Sequence, residues 1–280
     1  MRIMSDELIE SYKEQLTQEE KSIATIDKYI CDLKKFQAFA AGREVTKRLT
    51  MEYKEHFVIE QQYEISSINS FLVALNRFLE YAGWFDARVK TYKIQKAAFA
   101  SENKYLTKTE YKRLVLAARK KGNVRLAQIL NTICSTGIRI SELSYITVAC
   151  VKRGKVVIRN KGKIRTILLP AQLQKELRMY LARNRITQGV VFCTATGKPV
   201  NRSNVWREMK ALYEDAKVDM EKIFPHNLRH LFAQCFYSLK KDIAKLADVL
   251  GHNSIETTRI YIRTTCEEHR RQLEQLELVF

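Results

Sequence analysis

The chain has 280 residues, of which 46% are hydrophobic, and its 49 Lys or Arg exceed its 31 Asp or Glu to give a formal net charge of +18. No apolar run reaches the length of a membrane span and the first residues lack the apolar stretch of a secretory signal, so we expect a cytoplasmic protein without a membrane partner. The six cysteines include no Cys-x-x-Cys pair, which argues against a zinc ribbon or a thioredoxin-like motif. His226 and His230 have helical spacing, but no glutamate of a zincin motif lies between them, so no metal site is predicted.

The positive charge is confined to the second part of the chain. Residues 1–98 contain 15 Lys or Arg and 15 Asp or Glu, whereas residues 99–280 contain 34 and 16. No acidic residue lies between Glu142 and Glu176, and seven Lys or Arg lie between Lys152 and Arg165. A basic stretch this unbalanced indicates a polyanionic partner, most simply nucleic acid.

Residues 5–84 have the pattern of a helical bundle. Hydrophobic residues recur at helical spacing in four segments, near residues 6–16, 23–39, 51–61 and 68–79. The length of the segments and the short connections predict a compact all-helical domain of about 84 residues. Residues 85–105 show no periodicity, and we interpret them as an interdomain linker.

A second domain opens with a capping box formed by Thr107 and Glu110. An apolar segment at residues 126–133 predicts a buried helix that ends at Gly137, and Ser141 is the predicted cap of the next helix. Arg139 therefore lies between two hydrophobic segments. Its guanidinium is either held rigidly at this turn or reaches out to solvent along its aliphatic stem.

Two β-rich runs follow, at residues 155–159 and 164–169, and the residues between them predict a hairpin turn. Lys161 lies in that turn, where a lysine ordinarily serves solubility. Helices are predicted near residues 171–185, 203–216, 227–239 and 241–250. Pro225 suits a helix start, which places His226 and Arg229 one turn apart on the same face.

The last informative stretch runs from Leu250 to Tyr261. The spacing of Asn253 and Glu256 predicts a helix from about Ser254 with Tyr261 in its second turn. The predicted core stripe of this helix consists of Ile255, Thr258 and Ile262. Tyr261 lies beside that stripe, which by itself favours a packing residue with its hydroxyl in water.

Taken in order, these motifs closely resemble those of the tyrosine recombinases, also called the phage integrase family, and in particular the compact Xer-like members. The matching stretches are residues 136–143, the hairpin turn, residues 225–230 and residues 250–261. The family's Arg, Lys, His-x-x-Arg, His or Trp, and Tyr are matched by Arg139, Lys161, His226, Arg229, His252 and Tyr261.

The resemblance implies a mainly α fold with a small β-hairpin and an α+β catalytic domain, arranged as a two-domain C-shaped clamp. Residues 1–84 resemble the helical core-binding (SAM-like) DNA-binding domain, residues 85–105 the linker, and residues 106–280 the catalytic domain with its C-terminal tail helix. In Xer-type members that last helix packs onto a neighbouring protomer.

The resemblance also implies a site-specific recombinase that cleaves and rejoins DNA through a 3′-phosphotyrosyl intermediate and a Holliday junction, for integration or excision of a mobile element or for Xer-type dimer resolution. Tyr261 would be the nucleophile and His226 the base that takes its proton. Lys161 would protonate the leaving 5′-oxygen, although the short turn leaves Lys163 as its alternative. The family's two arginines and second histidine, which bind the phosphate oxygens, correspond to Arg139, Arg229 and His252.

The implied partners are double-stranded DNA with inverted half-sites, further copies of the chain in a tetramer on DNA, and an accessory directionality protein in some members, with a nucleoid location. Neither a cofactor nor a metal is implied. We expect DNA contacts from Lys155, Arg159, Lys163, Arg165 and Arg202. The alternatives are a type IB topoisomerase-like enzyme and a catalytically silent DNA-binding member of the same fold.

Overall fold

The chain divides into two compact units, residues 1–96 and 97–280. The structure, a computed structural model, describes residues 2–59, 63–94, 104–160, 163–194, 196–252, 254–262, 270, 274 and 275, with only the backbone described at residues 160, 163 and 262. No helix in these ranges is long and apolar enough to cross a membrane.

The first unit is a four-helix bundle, as the periodicity predicted. Its helices are α1 (Asp6–Gln18), α2 (Ile23–Ala40), α3 (Lys47–Ile59) and α4 (Ile65–Tyr81). Ser5 and Ser22 cap α1 and α2 by accepting hydrogen bonds from backbone amides of the first turn, which otherwise have no partner. The core side chains come from every helix and include Leu33, Phe36, Tyr53, Leu72 and Phe78.

The first part of the predicted linker belongs to this unit. Residues 85–87 form a 3-10 helix, and Ala87 and Val89 are buried in the core of the bundle. Asn76 bonds both the carbonyl and the amide of Val89, at 2.7 and 2.9 Å, and Asn69 does the same for Tyr92, at 2.8 Å each. Side-chain amides therefore replace regular secondary structure here, which explains why the sequence shows no periodicity.

The second unit is mainly helical with one hairpin. Its elements are α5 (Lys108–Lys120), α6 (Val124–Thr136), α7 (Val148–Arg153), β1 (Lys155–Asn160), β2 (Lys163–Leu168), α8 (Ala171–Arg183), α9 (Arg202–Lys210), α10 (Tyr213–Ala216), α11 (Pro225–Lys240), α12 (Ile243–Leu250) and α13 (Ile255–Arg259). The capping box of Thr107 and Glu110 is confirmed. So is the end of α6 at Gly137, which has a left-handed φ of 65°.

Two local predictions in this unit were wrong. Ser141 does not cap an α-helix, because residues 140–145 form a 3-10 helix in which Glu142 accepts the Arg139 backbone amide at 2.9 Å. The single helix predicted at residues 203–216 is interrupted between α9 and α10, where the Leu212 side chain is buried in the core.

The hairpin register determines which side chains face the core. β1 and β2 are antiparallel, and Val156 pairs with Ile167 and Ile158 with Arg165 on the buried face. The opposite face is exposed, and its pairs are Lys155 with Leu168, Val157 with Thr166 and Arg159 with Ile164. Because strand side chains alternate between faces, Arg165 is directed inward while Lys155 and Arg159 are directed outward.

Candidate active site

Arg139 lies where the chain leaves α6. This turn requires glycine at residue 137, since a Cβ at that position would collide with the Phe232 ring of α11. The Arg139 side chain is 39% exposed and donates to Glu142 Oε1 at 3.2 Å. Glu142 is buried and holds both the backbone amide and the guanidinium of Arg139.

Arg229 is held at the ends of two helices. It lies in the second turn of α11, one turn after His226, and is 1% exposed. Its guanidinium donates to the carbonyl oxygen of Gly137 and, at 2.7 Å, to that of Leu250, the last residue of α12. Helix C-termini carry carbonyls without intrahelical partners and a partial negative charge, so a buried guanidinium is stabilised there.

Arg165 converges on the same place from β2. It donates to the carbonyl of Leu250 and, at 2.5 Å, to Glu142 Oε2, and its side chain is only 14% exposed. Arg139 Nη2 reaches the Gly251 carbonyl at 3.4 Å. Arg139 and Arg165 therefore share the Glu142 carboxylate, and all three guanidiniums donate to carbonyls at the C-terminal end of α12. The local excess of positive charge suits an added anion such as a phosphodiester.

Tyr261 is buried, which corrects the predicted geometry of its helix. Ser254 caps α13 by accepting the Glu256 amide at 3.1 Å, and Tyr261 follows in a short 3-10 helix, residues 260–262. Tyr261 is 4% exposed and packs against Leu246 and Leu250, whereas Ile255 is 48% exposed. The predicted stripe was wrong at Ile255, the first residue of α13, because Thr258 and Tyr261 form the buried face of this segment instead.

The Tyr261 hydroxyl lies 3.2 Å from Nε2 of His226. His252 packs its ring nearly parallel to the Tyr261 ring, with centroids 5.5 Å apart. Nε2 of His252 lies 3.0 Å from Arg229 Nη2, and Nδ1 lies 2.9 Å from the hydroxyl of buried Thr258. A guanidinium can only donate, so Nε2 of His252 accepts here and the proton lies on Nδ1.

The electrostatics favour neutral imidazoles. Burial lowers the pKa of His226, and the positive charges of Arg229 and Arg139 lower it further. Burial with the same arginines lowers the pKa of His252 to about 4. Burial and then Arg139 lower the pKa of Arg229 to about 10, against the opposite effect of the Tyr261 hydroxyl, so Arg229 stays charged at neutral pH.

A cleft of about 460 Å³ opens onto these groups. Arg139, His226 and Arg229 line it together with Arg202 and Trp206 of α9. Nε of Arg229 is buried and has no hydrogen-bonding partner among the described residues. This N–H and the half-exposed Arg139 are therefore the donors left for an oxygen of a bound phosphate.

The structure thus brings together five of the six residues matched to the family set. The sixth, Lys161, lies outside the described residues, and at Lys163 only the backbone is described. Of the expected DNA contacts, Lys155, Arg159 and Arg202 are exposed. Arg165 instead has its guanidinium engaged inside the protein.

Sequence reasoning missed two members of the site. Thr258, which holds the His252 ring, was assigned to the core stripe only, and nothing in the sequence links it to a histidine six residues earlier. Trp206 is 47% exposed at the cleft. An exposed tryptophan on a helix whose first residue is Arg202 was a readable signal, because large aromatic side chains at a basic surface suit nucleobase contacts.

Comparisons with known proteins agree with this geometry. Residues 104–268 match the model of the phage integrase family. The chain is 29% identical to tyrosine recombinase XerA of Pyrococcus furiosus over 99% of this chain and 96% of that protein. A crystal structure of XerH bound to a palindromic difH substrate, a post-cleavage complex, superposes with a TM-score of 0.75 at 19% identity, covering 95% of this chain and 85% of that one.

A lambda integrase tetramer bound to a Holliday junction superposes with a TM-score of 0.73 at 15% identity, over 91% of this chain and 76% of that one. At these identities the solved structures show a shared fold. The family model covers more than half of the chain and ends beyond Tyr261. The chain therefore belongs to the phage integrase family of tyrosine recombinases.

Proposed function

We propose that this protein is a site-specific recombinase in which Tyr261 cleaves one DNA strand and stores the bond as a 3′-phosphotyrosyl link. The observation that carries the proposal is the Tyr261 hydroxyl 3.2 Å from His226 Nε2, beside a cleft lined by Arg139 and Arg229. A nucleophile, a base and a cationic anion site lie within one small volume, which is the arrangement that transesterification at phosphorus needs.

The cleavage step divides among these groups. The Tyr261 oxygen forms a bond to phosphorus as the bond from phosphorus to the 5′-oxygen breaks, and His226 takes the phenolic proton. Arg139 and Arg229 stabilise the charge on the non-bridging oxygens. In the apo geometry Nε2 of His252 accepts from Arg229, so His252 donates to a phosphate oxygen only after a proton reaches Nε2.

The departing 5′-oxygen needs a proton, and Lys161 is the group we propose for it, with Lys163 as the alternative. In the sequence Lys161 directly follows the last residue of β1 and Lys163 is the first residue of β2, and Arg165 on β2 attaches that hairpin to Glu142 and to the end of α12. We therefore assign Arg165 to holding the hairpin at the site rather than to DNA. Lys155, Arg159 and Arg202 remain the proposed DNA contacts.

The proposal extends to the assembly. The relatives include a recombinase bound to a palindromic substrate and a tetramer on a Holliday junction. We propose inverted half-sites and a DNA-bound tetramer for this chain, with the four-helix unit adding DNA contacts, the apolar tail (Leu273, Leu276, Leu278, Val279 and Phe280) joining neighbouring copies, and an accessory protein setting direction. Deletion of residues 271–280 tests the tail, and unchanged strand exchange would contradict it.

The central test uses a nicked suicide substrate that traps the covalent intermediate. The wild-type protein should form an adduct in the presence of EDTA, because none of the proposed groups is a metal ion. Tyr261→Phe should form none while binding the same DNA with an unchanged Kd. An adduct that survives this substitution removes Tyr261 from the mechanism, and a strict requirement for a divalent ion indicates a different nuclease chemistry.

A further inference from the structure

His230 is a buried histidine that the proposed chemistry does not use. It follows Arg229 in α11 and is 3% exposed. Neither of its ring nitrogens makes a hydrogen bond of normal geometry within the described part of the chain. Leaving polar atoms buried in this way costs about 1–3 kcal/mol, and the packing of the ring has to offset that cost.

The ring of His230 contacts the rings of two tyrosines. The Tyr105 ring stacks on it almost in parallel, with centroids 3.6 Å apart and planes inclined by 11°. The Tyr261 ring lies 5.1 Å away at 45°. The His230 ring therefore contacts both Tyr105 and the proposed nucleophile.

The phenol of Tyr261 is enclosed by three imidazoles. His226 and His252 lie with ring centroids 5.6 and 5.5 Å from that of Tyr261, in addition to His230. His226 bonds the hydroxyl and His252 is held by Arg229 and Thr258. His230 is the third imidazole beside Tyr261, and its own ring stacks on Tyr105.

Tyr105 is itself anchored on both sides along the chain. Asn227 of α11 is buried and donates to the Lys104 carbonyl at 3.1 Å, and it also donates to the Lys222 carbonyl at 2.9 Å. Leu106 is buried in the core of the second unit. The Tyr105 backbone is thus attached to the same helix that carries His226, Arg229 and His230.

Charge does not explain the stack. Burial lowers the pKa of His230 to about 4, against a smaller opposite effect from the Ile260 backbone, so the imidazole is neutral at neutral pH. The contact between Tyr105 and His230 is then an aromatic stack rather than a cation–π pair. A stack of neutral rings restricts position without adding charge beside the phenol.

We propose that Tyr105 is a positioning residue for the nucleophile: its ring holds His230 against Tyr261, which keeps the phenol in line with the scissile phosphate. This inference rests on the proposed function, since it requires Tyr261 to attack. Displacement of a reacting atom by about 1 Å costs roughly a hundredfold in rate. A loosened stack should therefore slow cleavage with little change in DNA affinity.

The experiment compares Tyr105→Ala with Tyr105→Phe at saturating suicide substrate. Phenylalanine keeps the stacking ring, so its rate of adduct formation should stay within about twofold of the wild type, whereas alanine should lower the rate by about tenfold to a hundredfold. Tyr213→Ala removes an exposed tyrosine of α10 that is outside the set lining the cleft, and it should leave the rate unchanged. Kd for DNA and Tm are measured for every variant.

A second substrate separates positioning from other defects. When sulfur replaces the bridging 5′-oxygen, the leaving group no longer needs a proton, so a defect in the general acid is suppressed. The loss in Tyr105→Ala should persist with this substrate, because the position of the nucleophile is what has changed. Rescue by the sulfur substrate, or a loss equal in the alanine and phenylalanine variants, overturns the inference.

The outcomes also distinguish this inference from the proposed function. If the wild-type protein forms no adduct, the proposed function fails. If the wild type forms the adduct and Tyr105→Ala forms it at the same rate, the proposed function stands and the positioning role is wrong. If Tyr105→Ala loses Tm in parallel with rate and Tyr105→Phe does not restore the rate, the role of Tyr105 is structural only.

Discussion

In the proposed mechanism His226 accepts a proton from Tyr261 at neutral pH, and its surroundings favour that role. Arg229 and Arg139 disfavour the imidazolium form, as does burial, so the pKa of His226 is lowered from its ordinary value of 6.5. A lowered pKa leaves the imidazole neutral at pH 7, and Nε2 can then accept when the remaining proton lies on Nδ1. The arginines proposed to bind the phosphate thus also favour the neutral form of the proposed base.

The lowered pKa of His226 predicts how the rate of cleavage falls at acid pH. The rate of adduct formation should fall only when the pH drops below the ordinary histidine value of about 6.5, because the neutral form persists to lower pH. His226→Ala should slow cleavage by roughly 10²- to 10⁴-fold and remove that limb. Single-turnover rates between pH 5 and 8 make the measurement.

An acid limb that survives in His226→Ala would show that another group is the base. The control has to form the adduct, so Tyr261→Phe is unsuitable. Asn204→Ala, a substitution on α9 in the same unit, serves instead. Its pH profile should superpose on that of the wild type.

The family pattern in the sequence singled out six residues, and the structure brings five of them together, while their catalytic roles stay predictions. Their environments could not be predicted. Tyr261 was placed beside the core stripe by a regular helical period, but the chain tightens into a 3-10 turn and buries it. A change of one turn type depends on tertiary contacts, such as those with Leu246 and Leu250, that periodicity does not contain.

At the scale of elements, the C-terminal end of α12 organises the site. Arg229 and Arg165 both donate to the Leu250 carbonyl, and Gly251 continues the chain with a φ of 64°. A Cβ at Gly251 would lie 2.5 Å from Cδ of Arg165, a side chain already fixed by Glu142. Glycine is therefore needed at this position for both conformation and space.

Gly251→Ala should lower both stability and the cleavage rate. The left-handed conformation alone costs a non-glycine residue about 1–2 kcal/mol, and displacement of Arg165 adds to that loss. Gly189→Ala is the matched control, because its φ is 79° and no atom lies within 4 Å of the new Cβ. Urea unfolding and single-turnover cleavage measure the two effects.

Gly189→Ala should lower the free energy of unfolding by the conformational cost alone. Its cleavage rate should equal that of the wild type. Equal losses of stability in the two variants, together with unchanged cleavage in Gly251→Ala, would mean that Arg165 yields freely and that the packing argument is wrong.

The capping box of α5, the end of α6 and the hairpin were predictable because they are local. Thr107 with Glu110 and the glycine that ends α6 depend on residues only a few positions apart. The alternation of Ile164, Arg165, Thr166 and Ile167 already implied that Arg165 shares a face with an apolar residue. Which face is buried depends on the rest of the unit, so Arg165 was predicted as a DNA contact from its charge alone.

At the scale of the whole molecule, charge is divided between the two units. The first unit has no net charge and the second carries the whole excess of 18 positive charges. Part of that excess lies inside the site rather than on the surface, since Arg139, Arg165 and Arg229 are engaged with Glu142 and helix-end carbonyls. Net charge therefore overstates the number of surface cations that can contact DNA phosphates away from the active site.

The salt dependence of DNA binding separates surface cations from those inside the site. Each phosphate neutralised by a surface cation contributes about 0.9 to the slope of log K against log salt concentration, so Arg202→Met should lower the slope by about one.

Arg165→Met should leave the slope unchanged, because its guanidinium donates to Glu142 and Leu250 instead. Arg165→Met should still lower Tm and the cleavage rate, since Glu142 would then be buried with one fewer cation. Fluorescence anisotropy at several salt concentrations gives the slopes, and a decrease of one in Arg165→Met would return Arg165 to the DNA interface.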